Sequence, residues 1–144
     1  MLWAISGGAG FLGLHLSRRL LDDGHDVRTL DVVPLDDAEL ERTVEEVRGD
    51  VRNRESVRRL VDGADVVVHA AAALPIQASR DSIRSVNVGG TENVLRAGDD
   101  AGVRRVVFIS STRSYEPGTS RRRRVRRSTS VRPSSARCAP TCRR

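Results

Sequence analysis

Residues 6–13 read Ser-Gly-Gly-Ala-Gly-Phe-Leu-Gly, so Gly7, Gly10 and Gly13 fall at three-residue intervals while Gly8, Gly10 and Gly13 spell G-x-G-x-x-G. The chemistry this suits is the capture of a diphosphate by bare main chain. A phosphate can reach backbone N–H groups only where no Cβ blocks the tight turn or the close approach. Phe11 and Leu12 then open a helix whose free N–H groups and positive dipole end face the same anion. Gly13 lets that helix pack closely on the preceding strand. Eighteen residues past Gly13 stands Asp31, where a carboxylate would accept hydrogen bonds from an adenosine ribose. Val32 and Val33 follow it with no arginine, so a 2′-phosphate would meet an uncompensated negative charge. The pattern predicts an adenine dinucleotide as ligand, NAD in preference to NADP. A Gly-rich turn without ligand is the bland alternative, disfavoured by the strand before the loop, the helix after it and the acid beyond.

The elements that must position these residues can be read from hydrophobic patterning. Leu2–Ser6 is a short apolar run ending at glycines, as a buried strand would. A helix is expected from Phe11 to about Asp23, with Leu12, Leu16, Leu20 and Leu21 on one face and Gly24 as its stop. Val27–Asp31 reads as a second strand, and a charged helix should run from Pro34 and Asp36-Asp37 to about Val44. Val47–Asp50 reads as a third strand, Ser56–Val61 lies in a helix, and Asp65–His69 is a fourth strand of consecutive β-branched residues. A long helix should cover Ser82–Ala97, followed by a fifth strand over Arg105–Ser110. Continuously apolar strands alternating with helices predict an α/β fold, a doubly wound parallel sheet with right-handed crossovers.

With these motifs in order, the chain resembles the extended short-chain dehydrogenase/reductases, the NAD-dependent epimerase/dehydratase family. Residues 6–13 are similar to its TGGAGFLG loop, with Ser6 in the Thr place. Gly49-Asp50-Val51-Arg52 resembles its GD(V/L) turn, which implies that Asp50 approaches the adenine and Val51 lines its pocket. His69-Ala70-Ala71-Ala72 resembles its HxAA strand end, whose small residues leave room for cofactor. Residues 86–95, beginning Val86-Asn87, are similar to its N-x-x-G-T-x-N-(V/L)-L helix. Ser110-Ser111-Thr112 resembles the end of strand five, which puts Thr112 at the position of the catalytic Ser/Thr. The resemblance covers residues 1–112 and implies a Rossmann sheet of order 3-2-1-4-5, truncated here after strand five. In the intact protein it implies a nucleotide-sugar substrate.

The same family uses a Tyr as general acid/base and a Lys four residues later that depresses its pKa. A phenol titrating near ~10 needs such a cation to work at neutral pH. Tyr115 is the one tyrosine, Thr119 stands four residues beyond it, and the chain has no lysine. Tyr115 matches the Tyr of the family's S-S-(S/T)-x-x-Y-G segment rather than the catalytic one. The chain as written is expected to lack the family's catalysis. Its function would then be that of the NAD-binding portion of an oxidoreductase, or of a non-catalytic dinucleotide-binding module.

Charge separates the chain into two populations. Residues 1–112 hold 14 Arg and 18 acids, a net of −4, whereas residues 113–144 hold 11 Arg and one acid, a net of +10. The second stretch has nine Ser/Thr and three Pro but no Leu, Ile, Phe or Met, too little apolar surface to offset the entropy of ordering. It is read as a disordered basic tail. One origin is a slipped reading frame near Arg113, since a GC-rich gene read out of frame yields Arg, Ser, Pro and Ala. The rival is a genuine arginine-rich arm, Arg121–Arg127, attracting phosphate backbones without sequence specificity. No specific nucleic-acid partner is expected, and four aromatics are too few for a stacking platform. Cys138 and Cys142 have no second ligand pair nearby, so no metal site is expected. No apolar run approaches the roughly 18–20 residues of a membrane span, and a cytoplasmic protein is the expectation. Oligomeric state is left open.

Overall fold

Three consecutive valines of the fourth strand, Val66, Val67 and Val68, are all buried, Val67 completely. A strand dry on both sides must be covered on both sides. In the computed structural model, which describes residues 1–74 and 79–110, this is what the order of elements achieves. Strands β1 (Leu2–Ser6), β2 (Asp26–Asp31), β3 (Glu45–Arg48), β4 (Val66–His69) and β5 (Arg105–Phe108) form one parallel sheet of order β3-β2-β1-β4-β5. Helices α1 (Phe11–Asp22), α2 (Leu40–Thr43), α3 (Arg54–Val61), α4 (Arg80–Arg84) and α5 (Thr91–Asp100) connect them, with a π-helical stretch over Ser85–Gly90 joining α4 to α5. The expected doubly wound topology and strand order are present.

Alternate residues of the strands point to opposite faces, and each face has its own core. Ala4, Leu30, Val47 and Val67 pack with Val57, Leu60 and Val61 of α3 and with Val94 and Ala97 of α5. Ile5, Val27 and Val68 face the other way and pack with Leu20 of α1, Leu40 of α2 and the adjoining Leu35 and Val44. Burying each such side chain stabilises by about 1.5–3 kcal/mol relative to exposure. The register aligns the carboxyl ends: Ser6 lies beside Leu30 and His69, and Asp31 beside Arg48. The strand order reverses between β1 and β4, which places a crevice outside those ends.

Five expectations need correction. Leu12 is 44% exposed, and the innermost stripe of α1 is Gly13, Ser17 and Leu20. Small residues take that stripe because the helix start lies against the loop backbone. The charged helix after Pro34 is a single turn, because Asp37 accepts from Glu39 N (3.0 Å) and Leu40 N (3.1 Å) and so delays its start to Leu40. Strand β3 begins and ends two residues earlier than patterning suggested. Its charged opening residue pairs with β2 through Arg28 Nε and Glu45 Oε2 at 2.8 Å, and after Gly49 N donates to Asp31 O the chain turns away. Finally, the expected long helix is not uniformly α-helical: the π stretch interrupts it just where Asn87 and Gly90 lie. Strand β5 also ends at Phe108 rather than Ser110. Ser111, Thr112, Tyr115 and the Arg-rich segment lie outside the described residues.

Candidate functional site

Gly7 leaves β1 with φ +79°, a left-handed conformation that L side chains rarely adopt. Its N–H donates to Leu30 O at 2.8 Å, and a Cβ there would lie 2.7 Å from the backbone nitrogen of Ala71. The loop is therefore held between β2 on one side and the segment after β4 on the other. A Cβ on Gly8 would lie 2.3 Å from that of Thr29, and one on Gly13 would lie 2.3 Å from Gly7 O. Gly10 differs: its φ of −75° is ordinary, and the nearest atom to a Cβ would be Gly7 O at 3.3 Å. The fold needs Gly7, Gly8 and Gly13. Gly10 is the least confined of the four: its Cβ would press only on Gly7 O, which would have to give by a few tenths of an ångström, and the residue lines the crevice.

Gly10 is also the N-cap of α1, and having no side chain it caps nothing. The first backbone bond of the helix is Leu14 N to Gly10 O at 2.9 Å. The N–H groups of Phe11, Leu12 and Gly13 precede it and belong to the unpaired first turn, with no acidic residue to occupy them. Twelve residues of aligned peptide dipole add partial positive charge at that end. Bare donors, a bare α-carbon and a dipole fit a diphosphate.

The crevice is a cavity of about 580 Å³. Gly7 and Gly10 form its floor, Asp31 and Val32 extend from β2, Asp50, Val51 and Arg52 from the turn after β3, and Ala70, Ala71 and Ala72 from the segment after β4. Eight of the residues expected at the cofactor thus come together: Gly7, Gly10, Asp31, Asp50, Val51, Ala70, Ala71 and Ala72. Asp31 Oδ2 accepts from Ala9 N at 3.1 Å and Oδ1 from Val33 N at 3.3 Å. Each oxygen keeps a second lone pair for a ribose hydroxyl. Phe11, 82% exposed, and Leu12 lie beside the loop rather than on the cavity wall, and offer it only main chain.

Asn87 is not on the wall either. Its amide accepts from Ala73 N (2.8 Å) and donates to Ala73 O (3.0 Å), so it fixes the lining segment from behind. Asp50, expected to approach an adenine, has both carboxylate oxygens engaged by Arg52. Oδ1 accepts from Arg52 N (2.8 Å) and Nε (3.0 Å), and Oδ2 from Nη2 (2.5 Å). That guanidinium holds the Asp50 carboxyl below its ordinary range, with the Arg52 backbone N–H adding to the effect.

Four side chains beyond the expected cofactor contacts hold the cavity's frame: Asn93, Ser6, His69 and Thr91. Asn93 on α5 donates through Nδ2 to Val51 O and Arg52 O, each at 3.0 Å. Ser6 Oγ lies 2.5 Å from His69 Nδ1, and His69 Nε2 lies 3.0 Å from Thr91 Oγ1. Thr91 spends its hydroxyl proton on Asn87 O at 2.7 Å, so it must accept from His69 Nε2–H. Nδ1 is then the acceptor for the Ser6 hydroxyl, whose oxygen accepts from Ala71 N at 3.4 Å. One neutral tautomer satisfies the whole line from cavity wall to π stretch. The available signal was polarity inside a helix motif that otherwise faces the core: Asn87, Thr91 and Asn93 recur there every few residues.

Burial pushes the His69 pKa below its ordinary 6.5. In the unfolded chain the ring takes a proton near pH ~6.5 while the folded chain refuses it, so the unfolded state binds more protons in that window. Stabilisation from His69 is therefore full above about pH 6.5 and is lost as pH falls through the window down to the folded value. The urea midpoint is expected to drop between pH 7.5 and 5.5, and His69→Gln should flatten that slope. An equal slope in the variant would refute the neutral line.

Comparison with known proteins agrees with this geometry. The sequence profile of the 3-beta hydroxysteroid dehydrogenase/isomerase family matches residues 4–126, running past the residue-112 boundary drawn from motifs. A Mycobacterium tuberculosis 3 beta-hydroxysteroid dehydrogenase/Delta 5-->4-isomerase is 40% identical over 114 residues, which is 74% of this chain and 30% of that relative. A 3-beta-hydroxysteroid dehydrogenase of Mycolicibacterium neoaurum is 38% identical over 114 residues, with 74% and 31% covered. The chain spans about a third of the length of these curated relatives. Among solved structures, a short-chain dehydrogenase/reductase superfamily protein from Agrobacterium tumefaciens with bound NAD superposes with a TM-score of 0.69 at 32% identity, over 77% of this chain and 33% of that one. The Thermus thermophilus UDP-glucose 4-epimerase complex with NAD gives 0.66 at 32%, over 77% and 38%. A diphosphate-ready glycine loop, a ribose-ready acid and a family profile spanning most of the chain lead to one conclusion: the chain belongs to the 3-beta hydroxysteroid dehydrogenase/isomerase family of short-chain dehydrogenase/reductase-like proteins.

Proposed function

We propose that residues 1–112 form a dinucleotide-binding unit that holds NAD, with the diphosphate on Gly7–Gly13 and the adenosine ribose on Asp31. The observation that carries this reading is Gly10, a cap without a side chain that lines the cavity and whose Cβ would meet only Gly7 O. In the whole protein the unit would serve oxidation at a hydroxyl-bearing carbon, with the cofactor supplying hydride acceptance. The curated relatives favour a hydroxysteroid as that substrate. A nucleotide sugar is the second reading, favoured by the motif resemblance and by the likeness to UDP-glucose 4-epimerase. Thr112 would take the family's catalytic Ser/Thr position. No lysine occurs in the 144 residues, so these residues do not supply the family's Tyr-Lys pair, and cofactor binding is the role assigned to them. Titration of the full chain with NADH, followed by nucleotide fluorescence, should show saturable binding competed by NAD. Absence of binding to folded protein would overturn the reading.

A further inference from the structure

Asp31 and Arg52 line the same cavity. The segment following β2 contains no arginine near Asp31 in sequence, yet the next strand's end brings one in. Strand β3 lies on the outer side of β2, away from β1 and the glycine loop. The turn carrying Asp50 and Arg52 therefore flanks the part of the cavity where Asp31 would hold a ribose. Arg52 is the one cation among the described residues lining it. Arg48, at the end of β3, is turned to Val32 O at 2.7 Å and to Glu46. Arg52 is spoken for as well, since its Nε and Nη2 grip both oxygens of Asp50, a two-pronged geometry that fixes direction as well as charge.

We propose that Asp50 is a cofactor-specificity residue: by holding Arg52 in a two-pronged ion pair, it denies that guanidinium to the 2′-phosphate of NADP. The proposal rests on the dinucleotide reading above. It gives NAD preference two parts, a carboxylate at Asp31 that repels the extra phosphate and a second carboxylate that occupies the cation able to compensate. Arg52 holds the Asp50 carboxyl below its ordinary range, as a close two-pronged pair should.

The test is a double-mutant cycle on the full chain, reading the ratio of NADPH to NADH affinity by fluorescence titration. Asp50→Asn should raise that ratio about fivefold, the scale of one solvent-exposed ion pair converted at tenfold per 1.4 kcal/mol. Arg52→Ala alone should lower the ratio, because it strips Asp50 of its counter-charge and leaves a bare carboxylate beside the phosphate. Adding Arg52→Ala to Asp50→Asn should abolish the gain. A rise in the ratio with Arg52→Ala alone would overturn the lock, since a freed Asp50 carboxylate can only repel the phosphate. So would an unmoved ratio in Asp50→Asn, or a gain surviving in the double variant. If the parent binds neither nucleotide, the dinucleotide reading itself fails; NADH binding with an unmoved ratio removes the lock alone. Circular dichroism of each variant separates these outcomes from misfolding.

Discussion

Gly10→Ala is expected to fold like the parent and to lose NADH binding by about tenfold to a hundredfold, the equivalent of the 1–3 kcal/mol that an inserted methyl costs in a filled contact. The backbone at Gly10 has φ −75° and ψ 163°, which alanine adopts freely. Its new Cβ would lie 3.3 Å from Gly7 O and otherwise in open space. Stability should fall by no more than about 1 kcal/mol, since the one contact is tight but single and far looser than those at Gly13. Affinity should fall further, because the methyl would stand over the unpaired N–H groups of Phe11, Leu12 and Gly13. Thermal melting and NADH titration on one preparation check both halves. Unchanged affinity would mean that the diphosphate does not sit where the loop suggests.

Gly13→Ala should do the reverse of a clean binding lesion and damage the fold itself. Its Cβ would fall 2.3 Å from Gly7 O, 2.6 Å from Gly8 O and 2.7 Å from Gly8 Cα. All three are main chain, tied to β2 through Gly7 N and Leu30 O, so none can swing aside as a side-chain tip could. Helix α1 would have to lift from the sheet, opening the packing of Leu20 on Ile5, Val27 and Val68. A loss of about 3 kcal/mol is expected, with a fall of roughly 10 °C or more in Tm for a domain of this size. Chemical denaturation with and without NADH checks it. A melt like the parent's would show that the loop has more give than its geometry implies. Two glycines three residues apart thus answer to different demands, and the contrast between their alanine variants separates cofactor from scaffold.

The sheet order and the floor of the cavity were legible because they depend on local signals: a glycine run at a strand end, consecutive valines, an acid at a fixed distance. What escaped was tertiary. Leu12 fits a helical apolar stripe, but helix α1 approaches the sheet through Gly13 and Ser17, and no propensity announces that a close approach outranks a leucine. The turn at Asp37 was misread because its side chain competes with the helix for the backbone N–H groups of Glu39 and Leu40. Strand β3 opens with Glu45 and Glu46, charges that an edge strand of a sheet tolerates but an apolar pattern search passes over. At the site, the sequence pointed to Asp50 and Asn87 as contacts. Asp50 lines the cavity and is paired with Arg52, and Asn87 bonds Ala73, relations across a turn and across 14 residues that spacing alone does not encode.

The helical rod from Arg80 to Asp100 touches both banks of the cavity. Asn87 grips the bank after β4 through Ala73, and Asn93 grips the bank after β3 through Val51 and Arg52. Six residues of helix, π-helical up to Gly90 and α-helical beyond it, separate the two grips. The slot is gauged like the jaws of a caliper, by the pitch of a rod rather than by the slack of loops. Its width is set before any guest arrives.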